Sequence, residues 1–102
     1  MEFDLGSAAE SDLQDIANYY SSIAPSLAER FLAEVEASLD DLCFEPAIGS
    51  RRYAHLLPDS ALRTWHLDHF PFLVFYRIDG EVLSVLRVLH ERRDLSASMI
   101  SL

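Results

Sequence analysis

The sequence predicts an α+β fold of order βααβββ, in which a helical hairpin packs on one face of a twisted, mainly antiparallel four-stranded sheet. Three observations predict it. Apolar residues recur at spacings of three and four between Ala9 and Leu42, which is the mark of amphipathic helices. The β-branched, apolar runs Phe72 to Ile78 and Val82 to Leu89 are joined by Asp79-Gly80, a strong hairpin signal. Residues 61–69 alternate in the period of a strand. Helices grouped before strands imply a layered α+β arrangement, and 102 residues suit one domain covering 1–102.

The elements follow in order. Phe3 and Leu5 share one face of a short first strand, which Gly6-Ser7 ends. Ser7-Ala8-Ala9-Glu10 fits a capping box, so a helix is expected from there. Its stripe is Ala9, Leu13, Ile16, Ala17, Tyr20 and Ile23, with Glu10, Asp12 and Asp15 near the positive dipole end. Ala24-Pro25 ends this helix and opens a second, because proline suits a first turn. The second stripe is Ala28, Phe31, Leu32, Val35, Leu39 and Leu42, opposite Glu29, Arg30, Glu34, Glu36 and Asp40. A long connection runs from Glu45-Pro46 to Pro58-Asp59 and contains Arg51-Arg52. In the strand after it, Trp65 and Leu67 mark the core side, and Phe70-Pro71 bends the chain into the hairpin. In the last strand, Leu83, Val85, Arg87 and Leu89 alternate with Val82, Ser84, Leu86, Val88 and His90. Both sets are apolar, so the sheet face away from the helices asks for a cover, and a second protein is expected to supply it. Asp94 is placed to cap a short tail helix marked by Leu95, Met99 and Leu102.

Composition narrows the function classes. The chain has 8 basic residues, all arginine, against 17 carboxylates, for a net charge of −9. The acids concentrate in the helical half. Nucleic-acid affinity rests largely on neutralising phosphates, so direct binding of DNA or RNA is not expected. No apolar run approaches the roughly 18 to 20 residues of a membrane span, and Met1-Glu2-Phe3-Asp4 lacks the basic start of a secretory signal. A cytoplasmic protein is expected. Cys43 is the only cysteine, which precludes an internal disulfide, and His55, His66 and His69 have no metal-ligand spacing. No metal or cofactor is expected.

The residues Ala9, Asp12-Leu13, Ile16, Tyr19-Tyr20, Ala28, Phe31, Pro46, Gly49, Leu62-Arg63, Phe70 and Phe75-Tyr76-Arg77 stand in a particular order. They continue into Arg87-Val88-Leu89-His90 and Arg92-Arg93-Asp94. The whole resembles the ParE branch of the RelE/ParE toxin superfamily, whose βααβββ fold agrees with the element order above. The resemblance implies the toxin of a type II toxin–antitoxin module, of the kind described as a plasmid stabilisation protein. It implies binding to DNA gyrase and neutralisation by a cognate, ParD-like antitoxin in a hetero-oligomer. RelE-like relatives instead cut mRNA on the ribosome.

On this resemblance Arg87, His90, Arg92 and Arg93 are the candidate target contacts, and Tyr19, Tyr20, Phe31 and Trp65 the candidate antitoxin contacts. If the protein is a ribonuclease, its catalytic set is Arg63, Arg87 and His90, with His66, Arg77 and Glu91 as further members. The missing lysine and the acidic body favour contact over catalysis, and a non-enzymatic toxin is expected. Such toxins are often basic, whereas this chain is acidic, so a weakly toxic or non-toxic antitoxin binder also stays open. The antitoxin is expected to use apolar contacts along the hairpin, with its own cations opposite the acidic helices.

Overall fold

A computed structural model describes residues 1–57 and 61–93. Helix α1 spans Ser7–Ile23 and α2 spans Pro25–Phe44, with strands β1 (Glu2–Leu5), β2 (Arg63–His66), β3 (Phe72–Asp79) and β4 (Val82–His90). The sheet order is β1-β4-β3-β2; β1 runs parallel to β4 and the other pairs are antiparallel. The expected βααβββ order and the helical hairpin on a mainly antiparallel sheet are both present. The tail residues Asp94, Leu95, Met99 and Leu102, and Pro58-Asp59 in the connection, lie outside the described residues.

Local details differ from the sequence expectations for identifiable reasons. The capping box does not form, because Ser7 is already the first helical residue and the cap position falls to Gly6, which has no side chain to offer. The Gly6 carbonyl accepts the Glu10 amide at 3.0 Å. Proline does occupy the first position of α2. Ala28, Phe31, Val35, Leu39 and Leu42 are buried, but Leu32 is 44 % exposed, since it lies about 100° around the helix from Phe31. Ile23, the last residue of α1, is 58 % exposed. Glu34 is not on the open face, because the loop after β2 reaches it: its carboxylate accepts the His69 amide at 3.0 Å and contacts His69 Nδ1 at 2.6 Å.

The hairpin turn is Gly80-Glu81 rather than Asp79-Gly80, since Asp79 pairs with Val82 inside the sheet. Gly80 takes the left-handed conformation at φ 61°, which glycine adopts without steric cost. Asp79 Oδ2 accepts from Ser84 Oγ and Arg77 Nε, each at 2.8 Å, and these bonds hold it in the strand.

The alternation of β4 is broken. Phe75 pairs with Arg87 but Tyr76 pairs with Val85, so Leu86 is an extra residue, a β-bulge. Leu83, Val85 and Val88 therefore face the helices with Tyr76, Val74 and Phe72. Leu86 and Leu89 face the other way with Phe75, Leu73 and Leu62. The helix-side core also holds Phe31 and Phe70, whose rings meet edge to face at 5.4 Å. Trp65 and Leu67 belong to this helix-side core as expected, while Leu62 and Thr64 are buried too, so the opposite face of the strand is also covered.

The cover expected from a second protein comes from the chain itself. Tyr53, Leu56 and Leu57 pack against the far-side cluster. To reach it, the connection makes a 3₁₀ turn at Pro46–Ile48, rounds β2, pairs Ser50 with Thr64, and turns again at Ala54–Leu56. The rounding point is pinned by a buried phenol. Tyr76 Oη donates to the Pro46 carbonyl at 2.7 Å and accepts the Gly49 amide at 3.0 Å. Arg63 Nη1 donates to the Ala47 and Gly49 carbonyls, both at 3.0 Å. A side chain on Gly49 would collide with the Tyr76 hydroxyl.

Gly49→Ala is expected to cost about 1 to 3 kcal/mol through overpacking. Tyr76→Phe should cost about 1 to 3 kcal/mol by leaving the Gly49 amide without its acceptor. Urea unfolding followed by Trp65 fluorescence should show lower midpoints with unchanged slopes for both variants.

Candidate functional site

The fold holds Arg63, Arg87 and His90 by separate contacts and joins only the further candidates His66 and Glu91. Arg63 is bound to loop carbonyls on the helix side of β2. Arg87 makes a two-pronged pair with Asp12, Nε to Oδ2 at 2.7 Å and Nη2 to Oδ1 at 2.8 Å. The same carboxylate accepts the Val88 amide at 2.9 Å. Registered pairing of β1 with β4 stops at Leu5 and Val85, so Asp12 completes the β4 edge where β1 has ended. The pair is mostly buried, with the Arg87 and Asp12 side chains 18 % and 12 % exposed. Asp12 is thus used to tie α1 to the sheet rather than to serve the helix dipole. His90 lies against Phe72 at 5.3 Å between ring centroids, and its Nδ1 accepts the Arg92 amide at 3.1 Å.

Among the described residues, two grooves adjoin the candidate residues, one on each side of the sheet. The helix-side groove has a volume of about 470 Å³ and is lined by Asp15, Ile16, Tyr19, Tyr20, Ile23, Pro71, Phe72 and His90. Tyr19 is 62 % exposed, and Tyr20 stacks edge to face on both Tyr19 and Phe70. Of the candidate antitoxin contacts, Tyr19 and Tyr20 line this groove. Trp65 is half-buried and packs against the helix-side core. Phe31 is fully enclosed; its place at the centre of the aromatic cluster rules out direct contact with a partner, contrary to expectation.

The far-side groove, about 440 Å³, is polar. Ser50, Arg52, Tyr53, Thr64, His66, Leu73, Glu91 and Arg92 line it. Arg52 lies 5.5 Å from the centre of the Tyr53 ring, and Tyr53 in turn packs on Phe75. His66 contacts the Leu67 carbonyl through Nδ1 and Glu91 Oε2 through Nε2, both at 2.6 Å. A carbonyl oxygen can only accept, and an ionised carboxylate likewise. Two such neighbours favour a proton on each ring nitrogen, so the site stabilises the charged form of the ring. The Glu91 hydrogen bond raises the His66 pKa above its ordinary value despite partial desolvation, and the His66 hydrogen bond lowers that of Glu91. When protonated, His66 can hold an anion, and its bond to Glu91 favours that form.

Arg52 and Tyr53 were not singled out as site residues from the sequence. Their signal was an arginine pair followed by an aromatic in a connection that then crosses a sheet face. His66 and Glu91 entered only as additional members of a catalytic set. Arg93 is exposed, and its amide donates to the His90 carbonyl; it lines neither groove.

Two helices on one face of an open mixed four-stranded sheet, with a groove on the other, make a small α+β fold. The family model for the ParE toxin of the type II toxin-antitoxin system, parDE, matches residues 4–95, and the chain belongs to that family. A solved structure described as the chromosomal ParDE TA system from P. aeruginosa is similar in fold, with a TM-score of 0.74. It is 22 % identical in sequence, and the match covers 88 % of this chain and 95 % of that one. No curated protein sequence matches the chain significantly. No helix among the described residues is long and apolar enough to cross a membrane.

The His66–Glu91 pair has a defined pH window. Its contribution from His66 is complete below the unfolded histidine pKa and is lost as pH rises through the raised folded value. Its contribution from Glu91 is lost as pH falls through the lowered folded value. An NMR titration should therefore give His66 a pKa above that of a model histidine, and Glu91→Gln should return it towards the ordinary value.

Proposed function

We propose that this ParE-type toxin acts without catalysis, by direct protein contact with DNA gyrase, and is neutralised by a cognate ParD-like antitoxin. The observation that carries the non-catalytic reading is the commitment of Arg63 and Arg87 to structural partners. A phosphoryl-cleaving site needs cations free to follow charge developing in the transition state, and these two are held by the fold. The family match supports a ParE-type toxin, and the gyrase target is taken from the resemblance to the ParE branch. Arg92, with His90 at the end of β4, supports a contact surface there, and Arg93 is exposed beside them. The ribosome-dependent ribonuclease is the second reading, favoured only by the histidine, carboxylate and arginines of the far-side groove.

The antitoxin is assigned to the helical hairpin and the helix-side groove. Tyr19, Ile23, Leu32 and Phe44 are all exposed large apolar residues of the two helices, and such a surface is the ordinary mark of a protein contact. The surrounding helices are acidic, so cations on the antitoxin complement them.

Purified protein added to a gyrase supercoiling reaction should inhibit it, and added to translating ribosomes with labelled mRNA should leave the message intact. Cleaved mRNA beside untouched gyrase would reverse the assignment, and silence in both would make the protein a non-toxic antitoxin binder. Ile23→Asp should weaken antitoxin binding at least about tenfold, roughly 1.4 kcal/mol, with unchanged thermal stability, because the residue is exposed. Association of toxin and antitoxin should slow as salt rises; a salt-independent rate would remove the electrostatic part of the assignment.

A further inference from the structure

We propose that the far-side groove is a carboxylate-recognition site for an acidic segment of a partner protein, and that Glu91 occupies it from within until the partner arrives. The groove already holds one carboxylate. His66 is fixed by the Leu67 carbonyl on one nitrogen and presents the other to Glu91 Oε2 at 2.6 Å. Glu91 reaches it from the turn after β4, with its backbone anchored separately through the amide bond to the Pro71 carbonyl at 2.9 Å. Rotation of this exposed side chain would therefore vacate His66 without disturbing the strand.

The remaining cations of the groove are underused. Arg52 and Arg92 line it, and among the described residues neither has an ion pair with a carboxylate. The guanidinium fork suits two-pronged binding of a carboxylate. Arg52 lies close to Tyr53, which with Leu73 gives the groove an aromatic and aliphatic floor. An acidic segment bearing apolar side chains can use both features. A nucleic acid gains less, because two arginines and one histidine neutralise at most about three phosphates and so release few counterions. The site belongs to the isolated protein and does not depend on gyrase being the target.

The full chain, labelled with ¹⁵N, is titrated with four probes: a capped hexapeptide alternating Glu and Leu, its Gln-for-Glu counterpart, inorganic phosphate and a hexauridine RNA. The Glu peptide should shift the His66 ring and the Arg52 and Arg92 side-chain signals, and bind at least about tenfold more tightly than the Gln peptide. The double variant Arg52→Ala, Arg92→Ala should lose at least about tenfold in affinity. Glu91→Gln, which removes the resident competitor, should gain about threefold. These are surface changes, and an otherwise unchanged amide spectrum verifies the fold of each variant. Equal binding of the two peptides, or no effect of the arginine changes, overturns the proposal. RNA binding more tightly than the Glu peptide would make the groove a nucleic-acid surface, and phosphate matching the peptide would make it an unselective anion site; both reject it.

Discussion

The hydroxyl of Tyr76 is the point on which the two-sided architecture turns. It is buried on the helix side of β3, yet it holds the Pro46 carbonyl and the Gly49 amide of a segment about to leave that side. Arg63 takes the two neighbouring carbonyls. The backbone polar groups of a chain rounding a sheet edge must find partners, and here one phenol and one guanidinium provide them. Because Gly49 has no side chain, the backbone approaches the phenol closely. Everything beyond this point follows from it: the Ser50–Thr64 bridge, the cover of Tyr53, Leu56 and Leu57, and the polar groove at that cover's margin.

A second constraint acts at the opposite edge. β1 is too short to pair with all of β4, so the Val88 amide would face no strand. Asp12 supplies an acceptor and holds Arg87 at the same time. The bulge at Leu86 lies beside this junction and exchanges the faces of the residues after it. Bulge, short strand and ion pair together let one strand pack against helices on one side and against its own connection on the other.

Helix positions and the order of elements along the chain were legible from periodicity, because amphipathic stripes and a turn signal are local properties of the chain. The bulge was not, since Leu86 and Leu89 are as apolar as their neighbours and only the pairing with β3 decides which face each takes. For the same reason the far face looked like a surface awaiting another protein. Its cover lay in a stretch broken by proline and glycine, where Tyr53, Leu56 and Leu57 have no regular spacing. At the site, residue type was legible and commitment was not. Arg63, Arg87 and Arg92 are the same side chain in sequence, but carbonyls hold the first, a carboxylate the second, and the third lines a groove.

That division explains how an acidic protein with few cations can carry two different surfaces. Arginine is used where a planar fork meets fixed acceptors, a geometry that lysine's single ammonium does not reproduce. The cations spent on the fold sit at strand edges, and those lining the far-side groove lie beyond them. The sheet separates that groove from the apolar, acidic hairpin, so a ligand on one side does not compete by contact with a ligand on the other. The end of β4 is the exception. His90 lines the helix-side groove, and its Nδ1 holds the amide of Arg92, which lines the far-side groove. At these two residues the linings of the two grooves meet, whereas the residues between the helices and the sheet are packed core.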